Sequence, residues 1–201
     1  GVIGIKDLSG AVIRAHEEAG WTLHSRVTIW KSPVVEMTRT KALGLLYMQL
    51  QKDSCRSRTG MPDYLLVFRK EGNNPAPVTH TPDDFPLDRW QEWASPVWMS
   101  VEQTRVLNTA VAREANDERH LCALQLDVIE RALILWSNPG DVVLSPFMGI
   151  GSEGVAALNL GRRFVGVELK EAYFRQAVKY LTAEDRQDSL PFPAVEEHPL
   201  P

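Results

Sequence analysis

A short apolar run that passes directly into a glycine-rich turn constrains the fold of this chain more than any other feature. Residues 142–144 lead through Ser145-Pro146-Phe147-Met148 into Gly149-Ile150-Gly151-Ser152-Glu153-Gly154, and residues 155–158 continue with a helical pattern. Glycine permits backbone dihedrals that are closed to other residues, and a helix N-terminus offers unpaired N–H groups. The pattern predicts a strand, a tight turn and a helix. We expect the main chain at Gly149 and Gly151 to approach a ligand without room for a Cβ atom.

A second apolar run, Arg163-Phe164-Val165-Gly166-Val167-Glu168, predicts a buried strand that ends in a carboxylate. A carboxylate at this position can accept hydrogen bonds from ribose hydroxyls, so the two runs together indicate a nucleoside-cofactor site. The turn also matches G-x-G-x-x-G, the dinucleotide fingerprint. Only one helix, about 171–181, follows before a Pro-rich tail, whereas a dehydrogenase domain needs several more strands. An NAD(P)-dependent oxidoreductase fragment and a purely structural turn remain alternatives.

Three segments carry a resemblance to a known family. Residues 145–152 resemble the S-adenosylmethionine motif of DNA amino-methyltransferases, D-P-F-x-G-[ST]-G-[ST], with Ser145 in place of the usual Asp. Residues 161–169, followed by Tyr173 and Ala177, resemble the segment in which an acidic residue holds the ribose. Residues 120–126 through Gly140-Asp141 resemble the motif that precedes the cofactor loop in circularly permuted members.

This resemblance implies an α/β, Rossmann-like S-adenosylmethionine-dependent methyltransferase fold with a largely parallel sheet, circularly permuted and N-terminally incomplete. It implies methyl transfer to the exocyclic amino group of adenine or cytosine in DNA. The cofactor-binding residues that it implies are His120, Leu121, Cys122, Ser145, Pro146, Phe147, Met148, Gly149, Gly151, Ser152 and Glu168.

The amine-orienting signature of the family, [DNS]-P-P-[YFW], has no counterpart in the chain, which contains no Pro-Pro pair. In the permuted order that signature would precede Gly1. We therefore expect the chain to be the C-terminal part of a longer enzyme, inactive alone and without a catalytic residue of its own. Its expected partners are double-stranded DNA, the upstream catalytic segment and, as an open alternative, a second copy in a homodimer. A non-catalytic DNA-binding or cofactor-binding remnant is the other alternative.

The region from His24 to Lys70 is basic, with nine Lys or Arg residues against three acidic ones. Lysine and arginine contact phosphates, and arginine also reads guanine edges in the major groove. Charge alone favours a solvated face over nucleic-acid binding. With the family resemblance, the residues predicted to contact DNA are Lys31, Arg39, Lys41, Arg56 and Arg58.

Hydrophobic periodicity predicts helices over residues 7–20, 40–53 and 125–136 and strands over 21–30 and 63–70, with a polar loop at 54–60. Residues 1–70 are interpreted as part of the catalytic half, with a basic segment at 31–60, and residues 119–183 as the cofactor-binding half. Residues 71–118 are interpreted as a Pro/Trp-rich linker, and residues 184–201 as an acidic, disordered tail. Trp90, Trp93 and Trp98 are expected to pin the linker onto a core rather than to stack on bases.

Composition bears on the cellular location and on the partners that the sequence predicts. The chain has only two cysteines, no C-x-x-C pair, no signal peptide and no apolar run long enough to cross a membrane. We expect no metal and no membrane partner, and a cytoplasmic location in a bacterial or phage-infected cell. The net charge of −4 does not by itself indicate nucleic acid, and the distribution of the charge along the chain matters more than its sum.

Overall fold

The computed structural model describes residues 6–107 and 123–188, without the side chains of Arg39 and residues 184–188. The chain divides into two compact units between Val101 and Glu102. The predicted cofactor residues His120, Leu121 and Cys122 and the predicted tail from residue 189 onward lie outside the described residues.

The first unit contains a three-stranded sheet of β1 (Trp21–Ile29), β2 (Asp63–Lys70) and β3 (Val97–Trp98), in the order β2-β1-β3. Strands β1 and β2 are antiparallel, with Trp21 opposite Lys70 and Ile29 opposite Asp63, and β3 runs parallel to β1. The elements are α1 (Leu8–Glu18), β1 (Trp21–Ile29), α2 (Pro33–Thr40), α3 (Tyr47–Lys52), β2 (Asp63–Lys70), α4 (Leu87–Trp93) and β3 (Val97–Trp98), with 3₁₀ turns at Leu43–Leu45 and Ser54–Arg56.

The prediction of a largely parallel sheet is wrong for this unit, where the longest pairing is antiparallel. A parallel return needs a crossover that carries the chain back to the starting end of the sheet. The connection between Ile29 and Asp63 instead begins and ends at the same end, because these two residues are paired. Periodicity finds a strand but does not reveal the direction of its partner.

The predicted helix over residues 40–53 is also wrong, because the structure divides this segment. Helix α2 starts at Pro33 after Ser32, whose hydroxyl accepts the Val35 N–H at 3.5 Å. It ends at Thr40 and is capped by Lys41, which adopts a left-handed backbone (φ 50°). Leu46 is extended and separates the 3₁₀ turn from α3. Ser32-Pro33 is a signal for the start of a helix, which a prediction from hydrophobic periodicity alone does not use.

The second unit is a strand–helix–strand crossover, as the sequence predicts. Strands β4 (Val142–Ser145) and β5 (Arg163–Gly166) are parallel, with Val142 opposite Arg163. Helix α6 (Ser152–Asn159) connects them, α5 (Leu126–Trp136) precedes them, and α7 (Glu171–Asp188) follows. Helix α7 continues to Asp188, four residues past residue 184, where the predicted tail begins.

One face of the β4–β5 pair is packed. Ile129 and Leu133 of α5 meet Ala156 and Ala157 of α6, and Phe164 lies against this cluster.

The third glycine of the fingerprint belongs to this packing. A Cβ at Gly154 would lie 2.7 Å from Phe164 and 2.5 Å from Leu181, so α6 needs glycine there to approach β5 and α7. Successive side chains of a strand point to opposite faces, so the alternate apolar residues of this pair, with Val167 just after β5, are exposed to about half or more. These residues are Val142, Leu144, Val165 and Val167.

The tryptophan-containing segment is partly an ordered piece of the first unit. Trp98 is 1% exposed and donates its indole N–H to the Trp93 carbonyl at 2.9 Å. Trp93 makes an edge contact with Phe85 at 5.2 Å between ring centroids. The interpretation that the tryptophans pin this segment onto a core is confirmed for Trp98, whereas Trp90 is 54% exposed.

Candidate cofactor site

The turn after β4 is held against the end of β5 by main-chain hydrogen bonds. The Val167 N–H donates to the Ser145 carbonyl at 2.9 Å, and the Met148 N–H donates to the Val167 carbonyl at 3.0 Å. The Gly151 N–H then closes on the Met148 carbonyl at 2.8 Å. The carboxyl ends of both strands and the start of α6 are thereby fixed in one small region. This is the position at which α/β sheets bind ligands.

Gly149 and Gly151 both have left-handed backbones, with φ of 55° and 92°. A Cβ at Gly149 would meet no protein atom within 4 Å, which leaves its main chain accessible. A Cβ at Gly151 would lie 3.2 Å from the Cβ of Ala177 on α7. The crowding at Gly151 therefore comes from helix packing, a reason that the sequence pattern did not supply.

Glu168 links the turn to the segment after β5. Its Oε2 accepts the Gly149 N–H at 2.9 Å, and its Oε1 accepts the Lys170 N–H at 2.8 Å. An ionised carboxylate offers about four lone-pair positions, so each oxygen can accept a further hydrogen bond. The half-buried carboxylate thus presents spare acceptor capacity beside an accessible glycine main chain.

The remaining predicted cofactor residues fall into two groups. Ser145, Met148 and Ser152 are buried, and Met148 lies over β5, where a Cβ at Gly166 would clash with its sulfur. Pro146 and Phe147 are exposed, Phe147 to 87%. The first group shapes the turn, and the second is available to a ligand.

Glu153 is a residue that the sequence reasoning did not select. It lies in the first turn of α6, where a negative charge is favoured by the helix dipole. Burial raises the pKa of its carboxyl group, and a hydrogen bond from its own N–H opposes that rise. The sequence signal that could have identified Glu153 is its position as an acidic residue within the glycine-rich motif.

The residues predicted to contact DNA lie on the connection between β1 and β2. Lys31 is paired with Asp63 at 2.7 Å, and Arg58 is paired with Glu36 at 3.3 Å. Both pairs are partly buried, so these two cations stabilise the connection itself. Two further predicted residues are exposed: Lys41, and Arg56, which is 79% exposed and lies 3.2 Å from a carboxylate oxygen of Asp53. The Arg39 side chain is outside the described part.

Within residues 6–107 and 123–188, no helix is long and apolar enough to cross a membrane. The same residues contain no cluster of three or more His, Cys, Asp or Glu side chains arranged to hold a metal ion.

Comparison with known proteins gives a consistent assignment. The model of a family described as DNA methylase matches residues 3–179. The DNA adenine methyltransferase YhdJ of Escherichia coli K12 is 26% identical over 164 residues, which cover 80% of this chain and 53% of that protein. The type II methyltransferase M2.DpnII of Streptococcus pneumoniae is 41% identical over 58 residues, or 29% of this chain and 22% of that protein.

A solved structure shares the fold. TTHA0409 of Thermus thermophilus, described as a putative DNA modification methylase and complexed with S-adenosyl-L-methionine, aligns with a TM-score of 0.61 and 21% identity. The alignment covers 89% of this chain and 60% of that one. The likeness confirms the predicted α/β methyltransferase fold.

The chain spans 53% of the length of YhdJ and less of M2.DpnII.

Proposed function

This chain belongs to the DNA methylase family, and we propose that it takes part in methyl transfer from S-adenosylmethionine to the exocyclic amino group of adenine or cytosine in DNA. The observation that carries the proposal is the position of Glu168. Its carboxylate accepts hydrogen bonds from the Gly149 and Lys170 N–H groups at the carboxyl ends of two parallel strands. A nucleoside cofactor presents a pair of ribose hydroxyls whose hydrogen bonds such a carboxylate can accept.

The exposed groups at the site fit this cofactor. Glu168 would hold the ribose, Phe147 offers an aromatic face, and Gly149 leaves room for close approach to the main chain. The cofactor supplies the methyl group on a cationic sulfonium, which loses its charge on transfer. The site therefore needs to bind and orient more than to stabilise a new anion.

We further propose the permuted order, with the cofactor half last and the amine-orienting Pro-Pro-aromatic motif supplied from outside this sequence. Parallel sheets ordinarily have both faces covered, yet Val142, Leu144, Val165 and Val167 are about half exposed. Association with a further methylase segment would cover this face. The DNA substrate makes the cytoplasm of a bacterial or phage-infected cell the expected location.

Replacing Glu168 by alanine should weaken binding of S-adenosylhomocysteine by about 1.5–3 kcal/mol, because charge-assisted hydrogen bonds to the ribose are lost. Titration calorimetry measures the difference. Glu171→Ala is the matched control, since that carboxylate lies in the first turn of α7, is exposed and pairs with Arg175 one helical turn away.

A thermal melt of both variants separates lost affinity from lost folding. Equal affinity of Glu168→Ala and the wild type would remove the ribose assignment. Binding of NAD in preference to S-adenosylhomocysteine would replace the methyltransferase proposal with an oxidoreductase one.

The 201-residue polypeptide alone is expected to transfer no methyl group. Correct positioning of the reacting groups can lower the activation free energy by about 7–11 kcal/mol. Without a group that orients and desolvates the amine, this lowering is lost. Transfer of tritiated methyl to mixed-sequence DNA measures activity, with and without a family segment that carries the Pro-Pro-aromatic motif. Turnover by the chain alone would mean that its own residues orient the amine.

A further inference from the structure

The connection between β1 and β2, residues 30–62, is an insert that is held by hydrogen bonds where it meets β2 and by further hydrogen bonds within itself. The Lys31 ammonium donates to Asp63 at 2.8 Å where the insert meets β2. Glu36 accepts hydrogen bonds from the Arg58 guanidinium at 3.3 Å and from the Met61 N–H at 2.8 Å. The Arg58 N–H also donates to the Gly44 carbonyl at 3.0 Å. These contacts give the insert a defined shape.

That shape does not come from a hydrophobic core. None of the insert residues whose side chains the structure describes is buried. Leu43 is 72% exposed, Tyr47 71%, Met48 62% and Leu50 50%. Exposed apolar side chains grouped in this way are characteristic of a surface that binds a partner.

The charge of the insert identifies the kind of partner. It carries six Lys or Arg residues against two acidic ones, in a chain whose net charge is −4. Lys31 and Arg58 are held in partly buried ion pairs. Lys41 and Lys52 are exposed and flank the apolar residues 43–50 in sequence. A surface that is both cationic and apolar complements a polyanion that also presents apolar groups.

We infer that the insert binds duplex DNA in two ways at once, with Lys41 and Lys52 contacting phosphates and Tyr47 and Met48 contacting bases. This inference rests on the proposed function, which supplies DNA as the substrate. Phosphate contacts alone need no apolar side chain, whereas thymine methyl groups, unstacked base steps and base faces all accept one. Tyr47 offers a ring that can stack, and Met48 adapts to an irregular surface.

The two kinds of contact can be distinguished by how the DNA affinity depends on salt concentration, because only phosphate contacts contribute to its log–log slope. Fluorescence anisotropy of a labelled mixed-sequence duplex, titrated with the full chain at several salt concentrations, gives the affinity and its log–log slope. Tyr47→Ala combined with Met48→Ala should lower the affinity about tenfold or more at every salt concentration and leave the slope unchanged. Lys41→Gln combined with Lys52→Gln should make the slope shallower by about 1.8.

Leu87→Ala is the control for loss of an exposed apolar side chain, because Leu87 is 68% exposed and lies in α4, outside the insert. It should bind DNA as the wild type does. Because Tyr47 and Met48 are exposed, their replacement should not unfold the chain, and circular dichroism checks this.

Wild-type affinity of the Tyr47/Met48 double variant at every salt concentration would overturn the inference and leave the proposed function intact. Absence of DNA binding by the wild type would overturn the inference, while cofactor binding, measured separately, would still test the proposed function. If the double variant bound DNA normally but changed the sedimentation of the chain from dimer to monomer, the inference would be overturned and the apolar surface would belong to a second copy.

Discussion

Replacing Arg162 by methionine is expected to cost about 3–5 kcal/mol of unfolding free energy, whereas the same change at Arg163 should cost less than about 1 kcal/mol. The Arg162 side chain is buried and makes four hydrogen bonds. Its Nε donates to the Ser137 hydroxyl at 3.1 Å and its Nη1 to the Leu160 carbonyl at 2.5 Å. Its Nη2 donates to the carbonyls of Leu133 at 3.3 Å and Ser137 at 2.7 Å.

The physical reason lies at the ends of two helices. Ser137 and Leu160 are the C-cap residues of α5 and α6, and carbonyls at this position have no partner within the helix. The Leu133 carbonyl accepts Arg162 in addition to the Ser137 N–H at 3.1 Å and the Ser137 hydroxyl at 2.6 Å. A cation at these helix ends is also favoured by the helix dipoles. Burial lowers the pKa of Arg162, and the nearby Asp141 opposes that effect. An arginine remains charged in proteins, so methionine removes both the donors and the charge. The carbonyls would then be left without their guanidinium donors.

Urea denaturation followed by circular dichroism measures the difference between the two variants. Arg163 is exposed and donates to the Gly140 carbonyl at 2.9 Å, which makes it a neighbouring control with one hydrogen bond rather than four. Equal midpoints for the two methionine variants would show that the helix ends are satisfied without the Arg162 guanidinium.

The part of the fold that sequence could predict is the part that local pattern specifies. The apolar run before Gly149, the helix after it and the strand that ends near Glu168 are contiguous, and each has its own periodicity. Their parallel pairing follows from the crossover helix between them. Strand, turn, helix and strand were therefore found together with the carboxylate that links them.

What sequence could not predict depends on contacts between distant residues. Arg162 and Arg163 are adjacent and chemically identical, yet only Arg162 reaches carbonyls at the end of α5, 25 residues away at Ser137. The sequence predicts that Lys31 and Arg58 contact DNA, whereas the structure places them in ion pairs with Asp63 and Glu36. A charge count does not show which charges are already paired.

The second large effect is expected at Gly151, where valine should destabilise the chain by about 2–6 kcal/mol, the sum of backbone strain and overpacking. A β-branched residue at φ 92° is strained by about 1–3 kcal/mol, and overpacking adds a similar amount. The overpacking arises because the new Cβ would lie 3.2 Å from the Cβ and 3.4 Å from the Cα of Ala177, which is fully buried in α7. Loss of stability is thus expected together with loss of cofactor binding, rather than loss of binding alone.

Gly149→Val is the matched control, because Gly149 also has a positive φ but open space where the side chain would go. Both variants place a β-branched residue at a positive φ, 55° at Gly149 and 92° at Gly151, so the difference between their unfolding free energies reports mainly packing against α7. We expect Gly151→Val to be the less stable by about 1–3 kcal/mol. Calorimetry with S-adenosylhomocysteine on the folded Gly149→Val protein then tests whether a side chain at this open position blocks the ligand. Equal stability of the two variants would show that α7 moves aside at no cost, and normal affinity of Gly149→Val would show that the cofactor does not approach the main chain there.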